Sequence, residues 1–447
     1  MIGAGVAGLA AARELASAGQ RVALLEARER IGGRIFTQRT RAAGQGDLLP
    51  VELGAEFIHG LPQEAWALVN EGGLATYELQ GSHVFLGGNG RDDGDPRDDG
   101  DPYSAASAVL RELEAWVQVN PGRDMTFADY LRQAGIGPAE AQAASAYVEG
   151  FNAADGNVIG IAALVKQQLA EDAIEGDRIF HVRGGYDRMP ELLARGLERM
   201  GGRIFLQCTV RQVSWRPGAV TIRAEHPTAG TCALRARRAV ITLPLGVLQS
   251  GFVSMDPEPA AVLEHARRMR MGAALRMTLV FDSRFWRADD LTDNLSFLIA
   301  PHLTPATWWT SMPERSPVIT GWVGGPEAEI VQNRLRASGD PDGLLHLCLQ
   351  SLSAAFGIPQ QSLVHRLISA HSHDWSADPQ ACGAYSYAPA GALDASDKMG
   401  MPVADTLYFA GEHTDTTGHW GTVHGALRSG QRAARQILMH QESRRRS

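Results

Sequence analysis

Apolar residues and glycines dominate the start of the chain. In "MIGAGVAGLAAARELASAG" the run Ala7, Leu9, Ala10, Ala11, Ala12, Leu15 and Ala16 predicts a helix that Gly19 ends. "RVALLEA" follows as a short buried strand. Helical spacing of apolar positions recurs in "SAASAVLRELEAWVQ" and "PAEAQAASAYVEGFNAA". In "FHVRGGYDRMPELLARGL", Gly184, Gly185 and Arg188 open another helix. "GGRIFLQCTVRQVSW" reads as one strand, and "RRAVITLPLGVLQ" as a strand entering a turn at Pro244. "ALRMTLVFDSRFW" combines alternation with bulky side chains and reads as a strand of a second sheet. "DTLYFAGEHTDTTGHWGTVHGALRSGQRAARQIL" runs strand, Gly-Glu, loop, helix. "GGNGRDDGDPRDDGDPYS" holds a tandem hexapeptide, Arg91–Pro96 and Arg97–Pro102, and predicts a mobile acidic surface loop.

The first turn carries candidate chemistry. Gly3, Gly5 and Gly8 have dinucleotide-binding spacing: a tight turn, a close backbone approach to a pyrophosphate, and close helix packing. Glu26 ends the next strand, where a carboxylate would hold a ribose. Only Met1 and Ile2 precede the turn, too few for a central strand, so the natural product is expected to begin several residues upstream. Gly32, Gly33 and Arg34 follow the second strand, and a nicotinamide domain has no need of them. An extended flavin dinucleotide does, for a second backbone approach and a forked cation at its diphosphate.

At these residues the chain resembles the flavin-containing amine oxidases, the family of monoamine and polyamine oxidases. The resemblance spans essentially the whole chain and implies an α/β fold. A Rossmann-like FAD-binding domain of residues 1–60, 183–265 and 371–447 would interleave with a substrate domain of mixed sheet plus helices, residues 61–182 and 266–370. It assigns the cofactor Gly3, Gly5, Gly8, Glu26, Arg28, Gly32, Gly33, Arg34, Gly54, Ala55 and Glu56 from the first part of the chain. Val210 would lie against adenine. Gly411, Glu412, Gly421, Thr422 and Val423 belong to the closing flavin motif.

"VELGAEFIHGLPQEAW" is similar to the polyamine and spermine oxidases. That similarity puts Glu56 and His59 at the substrate, Glu56 attracting a cationic amine and His59 accepting its proton. "DPQACGAYSYAPAGAL" supplies one wall, with Tyr385 or Tyr387 in an aromatic enclosure. Monoamine oxidases attach flavin through a cysteine in this region. Gly383 takes that place here and Cys382 is one residue off, so non-covalent FAD is expected. The family's second wall is a tyrosine, where this chain has His419 with Trp420 beside it. The strand matching "GAALRMTLVFD" carries in the family a lysine that holds a water against flavin N5, and this chain has Arg276.

Composition narrows the remaining options. A chain of 447 residues suggests two domains, and its 44% hydrophobic content fits a globular protein. No apolar run reaches the length of a membrane span. A net charge of −8 argues against a nucleic-acid partner and suits a cationic small molecule. Cys208, Cys232, Cys348 and Cys382 are scattered without metal-like spacing, which predicts free thiols and a cytoplasmic protein with no metal. Lys166 and Lys398 are the only lysines among 42 basic residues. The expected activity is oxidation of an amine to an imine, with oxygen reduced to hydrogen peroxide. The alternatives are an L-amino-acid oxidase or monooxygenase of the same fold, or a flavin-binding scaffold with little turnover. An amino-acid oxidase would need an arginine to clamp the substrate carboxylate.

Overall fold

The structure is a computed structural model and describes residues 1–41, 48–87, 90–92, 102–287 and 290–446. The opening residues fold as the glycine spacing dictates. Ile2 bridges in parallel to both Leu25 and Ile241, although it lies outside any longer strand. It thereby joins the pair Arg203–Phe205 and Ala23–Leu25 to the pair Ala239–Ile241 and Leu407–Phe409, all parallel. The Ile2 amide donates to Val240 O at 2.9 Å, and its carbonyl accepts from Thr242 N at 2.9 Å. On the other side Leu25 N donates to Met1 O at 3.0 Å and Gly3 N donates to Leu25 O at 2.8 Å, so residues 1–3 run between the two pairs.

The helix Val6–Ser17 packs on this sheet and against the long closing helix Val423–Arg446. Gly8 makes that approach possible. A Cβ there would lie 2.0 Å from the Gly3 carbonyl oxygen, a backbone atom that cannot swing aside. The apolar face of the first helix joins Tyr186, Met189 and Leu193 of the segment around the helix Arg188–Arg199 in one core.

"GGRIFLQCTVRQVSW" is two strands rather than one. Arg203–Phe205 joins the parallel sheet, and Thr209–Arg216 joins a four-stranded sheet with Gly230–Ala236, Ala219–His226 and Ser254–Asp256. The break falls at Gln207, whose φ of 54° is left-handed. A seven-stranded sheet runs Leu367–Ser372, Ala274–Phe281, Val318–Gly324, Thr307–Thr310, Leu295–Ile299, Ser82–Gly87, Gly90–Asp92. Every residue of Ala274–Phe281 is buried. The alternation expected of that strand is therefore not an inside–outside alternation, because both faces of the strand are covered. The helices Pro102–Val119, Phe127–Ala134, Pro138–Asn152 and Ile161–Asp172 form a second core around Leu113, Phe127, Tyr130 and Val148.

Most of the acidic hexapeptide repeat lies outside the described residues. Its first residues do not form a loop: Gly90–Asp92 pairs antiparallel with Ser82–Gly87. No helix among the described residues is long and apolar enough to cross a membrane.

Candidate active site

One cavity of about 1290 Å³ runs from the glycine turn to the helical core. That exceeds the roughly 300–1,000 Å³ of an ordinary small-molecule pocket, so it can hold an extended cofactor and a substrate together. Gly3, Gly5, Glu26, Arg28, Gly32, Gly33, Arg34, Gly54, Ala55, Glu56, Val210, Gly411, Glu412, Gly421, Thr422 and Val423 all line it. Gly8 does not, since it sits in the helix–strand contact described above.

The lining fits FAD. The helix Val6–Ser17 starts at Gly5 with no side-chain cap, and nothing lies within 4 Å of where a Gly5 Cβ would be. An open helix N-terminus of this kind holds an anion with its free amides and its dipole. Glu26 is buried, and its carboxylate accepts from Ala4 N at 2.7 Å and Arg28 N at 2.9 Å. Burial raises its pKa, with the two amides and the nearby arginines pulling the other way. Among lining residues the only cysteine is Cys208, beside Val210. Cys382 is not in the lining, so no thiol stands where covalent attachment would need one.

The arginines depart from expectation. Arg34 does not point its fork at a ligand. Its Nη1 and Nη2 both reach Glu412 Oε1 at 3.0 Å, and Nη1 also donates to Ala384 O at 2.6 Å. Glu412 Oε2 in turn accepts from Ser386 Oγ at 2.6 Å and Gly421 N at 2.9 Å. Despite burial, these partners hold the Glu412 carboxyl below its usual range. The pair ties the Gly32-Gly33-Arg34 turn to the Gly411-Glu412 turn near the end of the chain. Arg28 is paired with Asp378 at 2.7 Å, which His373 also holds at 2.7 Å.

Glu56 is likewise not a free lure for cations. Its Oε2 accepts from Arg276 Nη2 at 2.5 Å and from Trp309 Nε1 at 3.0 Å. Arg276 is 6% exposed, donates to Gly54 O at 2.8 Å, and lies over the Trp309 ring at 5.5 Å. Behind this pair, Glu52 accepts from Thr37 Oγ1 and Tyr186 N, and burial pushes its carboxyl up to about 7.

His59 faces the cavity between Phe57 and Phe151, at ring distances of 5.9 and 6.0 Å. Burial lowers its pKa, which Glu171 only partly offsets. Tyr385 stacks on Trp322 at 6.5 Å with 9° between planes, and its hydroxyl donates to Phe151 O at 2.6 Å. Tyr387 is displaced from its expected role: it packs in the helical core and does not line the cavity. His419 also lies behind the wall, whereas Trp420 lines it and donates from Nε1 to Asp415 O at 2.9 Å. Lys166 lies 5.3 Å above the Trp420 ring.

Trp309, Trp322, Glu171 and His424 belong to the lining and went unread in the sequence. Trp308 and Trp309 are adjacent, yet the first is buried against Ser351 and the second meets Glu56. Period-two alternation in a strand puts them on opposite faces, but the sequence does not say which face is the site.

A family model for flavin containing amine oxidoreductase matches residues 6–438. The chain belongs to that family. It is 28% identical over 459 residues to lysine-specific histone demethylase 1 homolog 2 of Oryza sativa subsp. japonica, covering 99% of this chain and 57% of that protein. Polyamine oxidase 4 of the same organism is 26% identical over 473 residues, with 98% of this chain and 89% of that protein covered. The chain thus spans little more than half the length of the demethylase homologues and most of the polyamine oxidase. Among solved structures, wild-type putrescine oxidase bound to putrescine superposes with a TM-score of 0.80 at 21% identity, covering 98% of each chain. Cyclohexylamine oxidase from Brevibacterium oxydans IH-35A gives 0.79 at 22%, covering 99% and 98%. At such identities these structures establish the fold.

Proposed function

We propose that the protein oxidises small cationic amines, diamines and polyamines foremost, with non-covalently held FAD. The observation that carries this is the charge pattern of the cavity. Each arginine in its lining is committed to a carboxylate: Arg28 to Asp378, Arg34 to Glu412, Arg211 to Glu225 and Arg276 to Glu56. Among the described residues no lining arginine is left to clamp a substrate carboxylate, which counts against an amino-acid oxidase. Glu171, Asp172 and Asp177 also line the cavity and form no ion pair with a lysine or arginine in the described residues. That leaves a negative excess in the substrate arm, suited to a cation.

Bound FAD would accept a hydride from the carbon next to the amine nitrogen and pass the electrons to oxygen as hydrogen peroxide. Glu26 would hold its ribose, the first helix its diphosphate, and the glycines around Gly421 its ring end. The protein's part is orientation and proton handling. His59 stays a neutral imidazole around neutral pH and can accept a hydrogen bond or a proton from the substrate nitrogen. Tyr385, Trp322 and Phe151 wall the carbon chain with apolar surface and exclude water.

The test is anaerobic mixing of the FAD-loaded protein with putrescine, spermidine, tyramine and a panel of L-amino acids, following flavin absorbance. Bleaching by the diamine or polyamine, and not by the amino acids, is expected. Bleaching by amino acids alone overturns the substrate class, and bleaching by none favours a scaffold.

A further inference from the structure

At the cavity wall Glu171 and His424 converge with His419, which lies behind the lining. One ligand atom from each lies within 4.8 Å of the other two. Glu171 is in the last turn of the helix Ile161–Asp172, His419 in the loop before the closing helix, and His424 in that helix's first turn. Glu171 Oε1 is 3.8 Å from His419 Nδ1. The imidazoles are 4.6 Å apart with 75° between planes. Both histidines are 3% exposed. His419 Nδ1 and His424 Nε2 are buried and meet no hydrogen-bond partner. Burying one unpartnered ring nitrogen is costly, and two side by side need an explanation.

The surroundings hold the cluster in place. The His419 amide donates to Asp415 Oδ1 at 3.1 Å, and its carbonyl accepts from Thr422 Oγ1 at 2.8 Å. Gly425 lets the helix close on that carbonyl, because a Cβ there would lie 2.2 Å from the oxygen. The Glu171 carbonyl accepts from both Ile174 and Gly176 amides.

We propose that Glu171, His419 and His424 form a binding site for a divalent transition cation of the Zn²⁺ type, opening onto the substrate cavity. Two imidazoles and a carboxylate, without thiolate, are the donors such a cation takes. Tetrahedral Zn²⁺ with bonds of about 2.0–2.2 Å needs ligand atoms roughly 3.3–3.6 Å apart, so the three side chains, now within 4.8 Å of one another, would draw in on binding. Three protein ligands leave a fourth position. Glu171 and His424 line the cavity, so a cation held by them lies at its wall. One cation would satisfy both orphaned nitrogens and turn the local charge from −1 to +1. Resting on the cationic-amine reading above, a bound metal then opposes substrate binding.

The experiment is a titration of metal-stripped, FAD-loaded full-length protein with Zn²⁺ against a chromogenic chelator. One zinc per chain is expected, with affinity reduced about tenfold or more in each of H419Q and H424Q. Flavin content and melting temperature check that the variants fold. Should the buried histidine variants fail to fold, Glu171→Gln, at a partly exposed helix end, gives the same comparison. Absence of stoichiometric zinc overturns the site, as does undiminished binding in the variants. A second arm measures putrescine oxidation with and without zinc. A raised KM at unchanged kcat supports the coupling. Zinc bound with KM unmoved leaves the metal site standing and overturns the coupling to a cationic substrate. The binding titration needs no turnover, so the two failures are distinguishable.

Discussion

At the scale of single residues, Arg276 is where the chain departs most from what the resemblance implies. A lysine there is a compact donor that can lose its proton, whereas a guanidinium stays charged. The structure adds that the charge is not bare: Glu56 and the Trp309 face compensate it, and the Gly54 carbonyl takes another donor. A cation locked this way cannot relay a proton, so reduction by substrate is expected to proceed while reoxidation by oxygen is slow. Arg276→Lys should speed reoxidation in stopped-flow mixing of reduced protein with oxygenated buffer. Equal rates in the two proteins would remove the role assigned to this position. The identity of Arg276 was legible in the sequence, but its partner was not. Glu56 lies 220 residues earlier, and both residues looked available for a ligand when read locally.

Among elements, the opening strand–helix–strand shows why short-range signals are reliable. Its glycine spacing, helix formers and terminal carboxylate fall within about thirty residues, and each constrains its neighbours. Gly8 carries the tightest constraint. Gly8→Ala is expected to cost about 1–3 kcal/mol by overpacking or more, since the added methyl meets a backbone oxygen. Thermal melting and FAD occupancy of the variant check this, and an unchanged melting temperature would mean that the helix can shift away. Tyr385 and Tyr387 illustrate the opposite case. They lie two residues apart, a spacing that strand alternation would put on one face, yet Tyr385 reaches the cavity and Tyr387 the helical core. The strand here is only Ser386–Tyr387, so Tyr385 lies outside it and the alternation does not reach it; what packs around each ring decides where it goes. The strand Ala274–Phe281 was recognisable by its residues, and its burial on both faces depends on helices and strands from elsewhere.

For the molecule as a whole, burial of ionisable groups predicts a pH dependence. Glu52 is raised to about 7 in the folded state from 4.5, chiefly by desolvation. Between these values the folded chain binds more protons than the unfolded one. Stability is therefore full below about 4.5 and falls as pH rises toward 7, by on the order of 2–3 kcal/mol from this group. Glu52→Gln keeps an acceptor for Tyr186 N and removes the titration. Its melting temperature relative to wild type should climb between pH 5 and pH 8. A constant difference over that range would exclude Glu52 as the source.

The sequence by itself determined the local features that carry the family: the glycine turns, the carboxylate of Glu26 at the end of the second strand, and the strand–loop–helix that closes the chain. These features are encoded in contiguous stretches whose backbone conformation is set by local sterics and by which residues lack a side chain. Tertiary structure decided how charge and aromatic surface are distributed in the cavity. Arg34 with Glu412, Glu56 with Arg276, and Glu171 with His419 and His424 join positions hundreds of residues apart. Whether a charge is free for a ligand or neutralised by a neighbour depends on distance and burial, and a linear pattern contains neither.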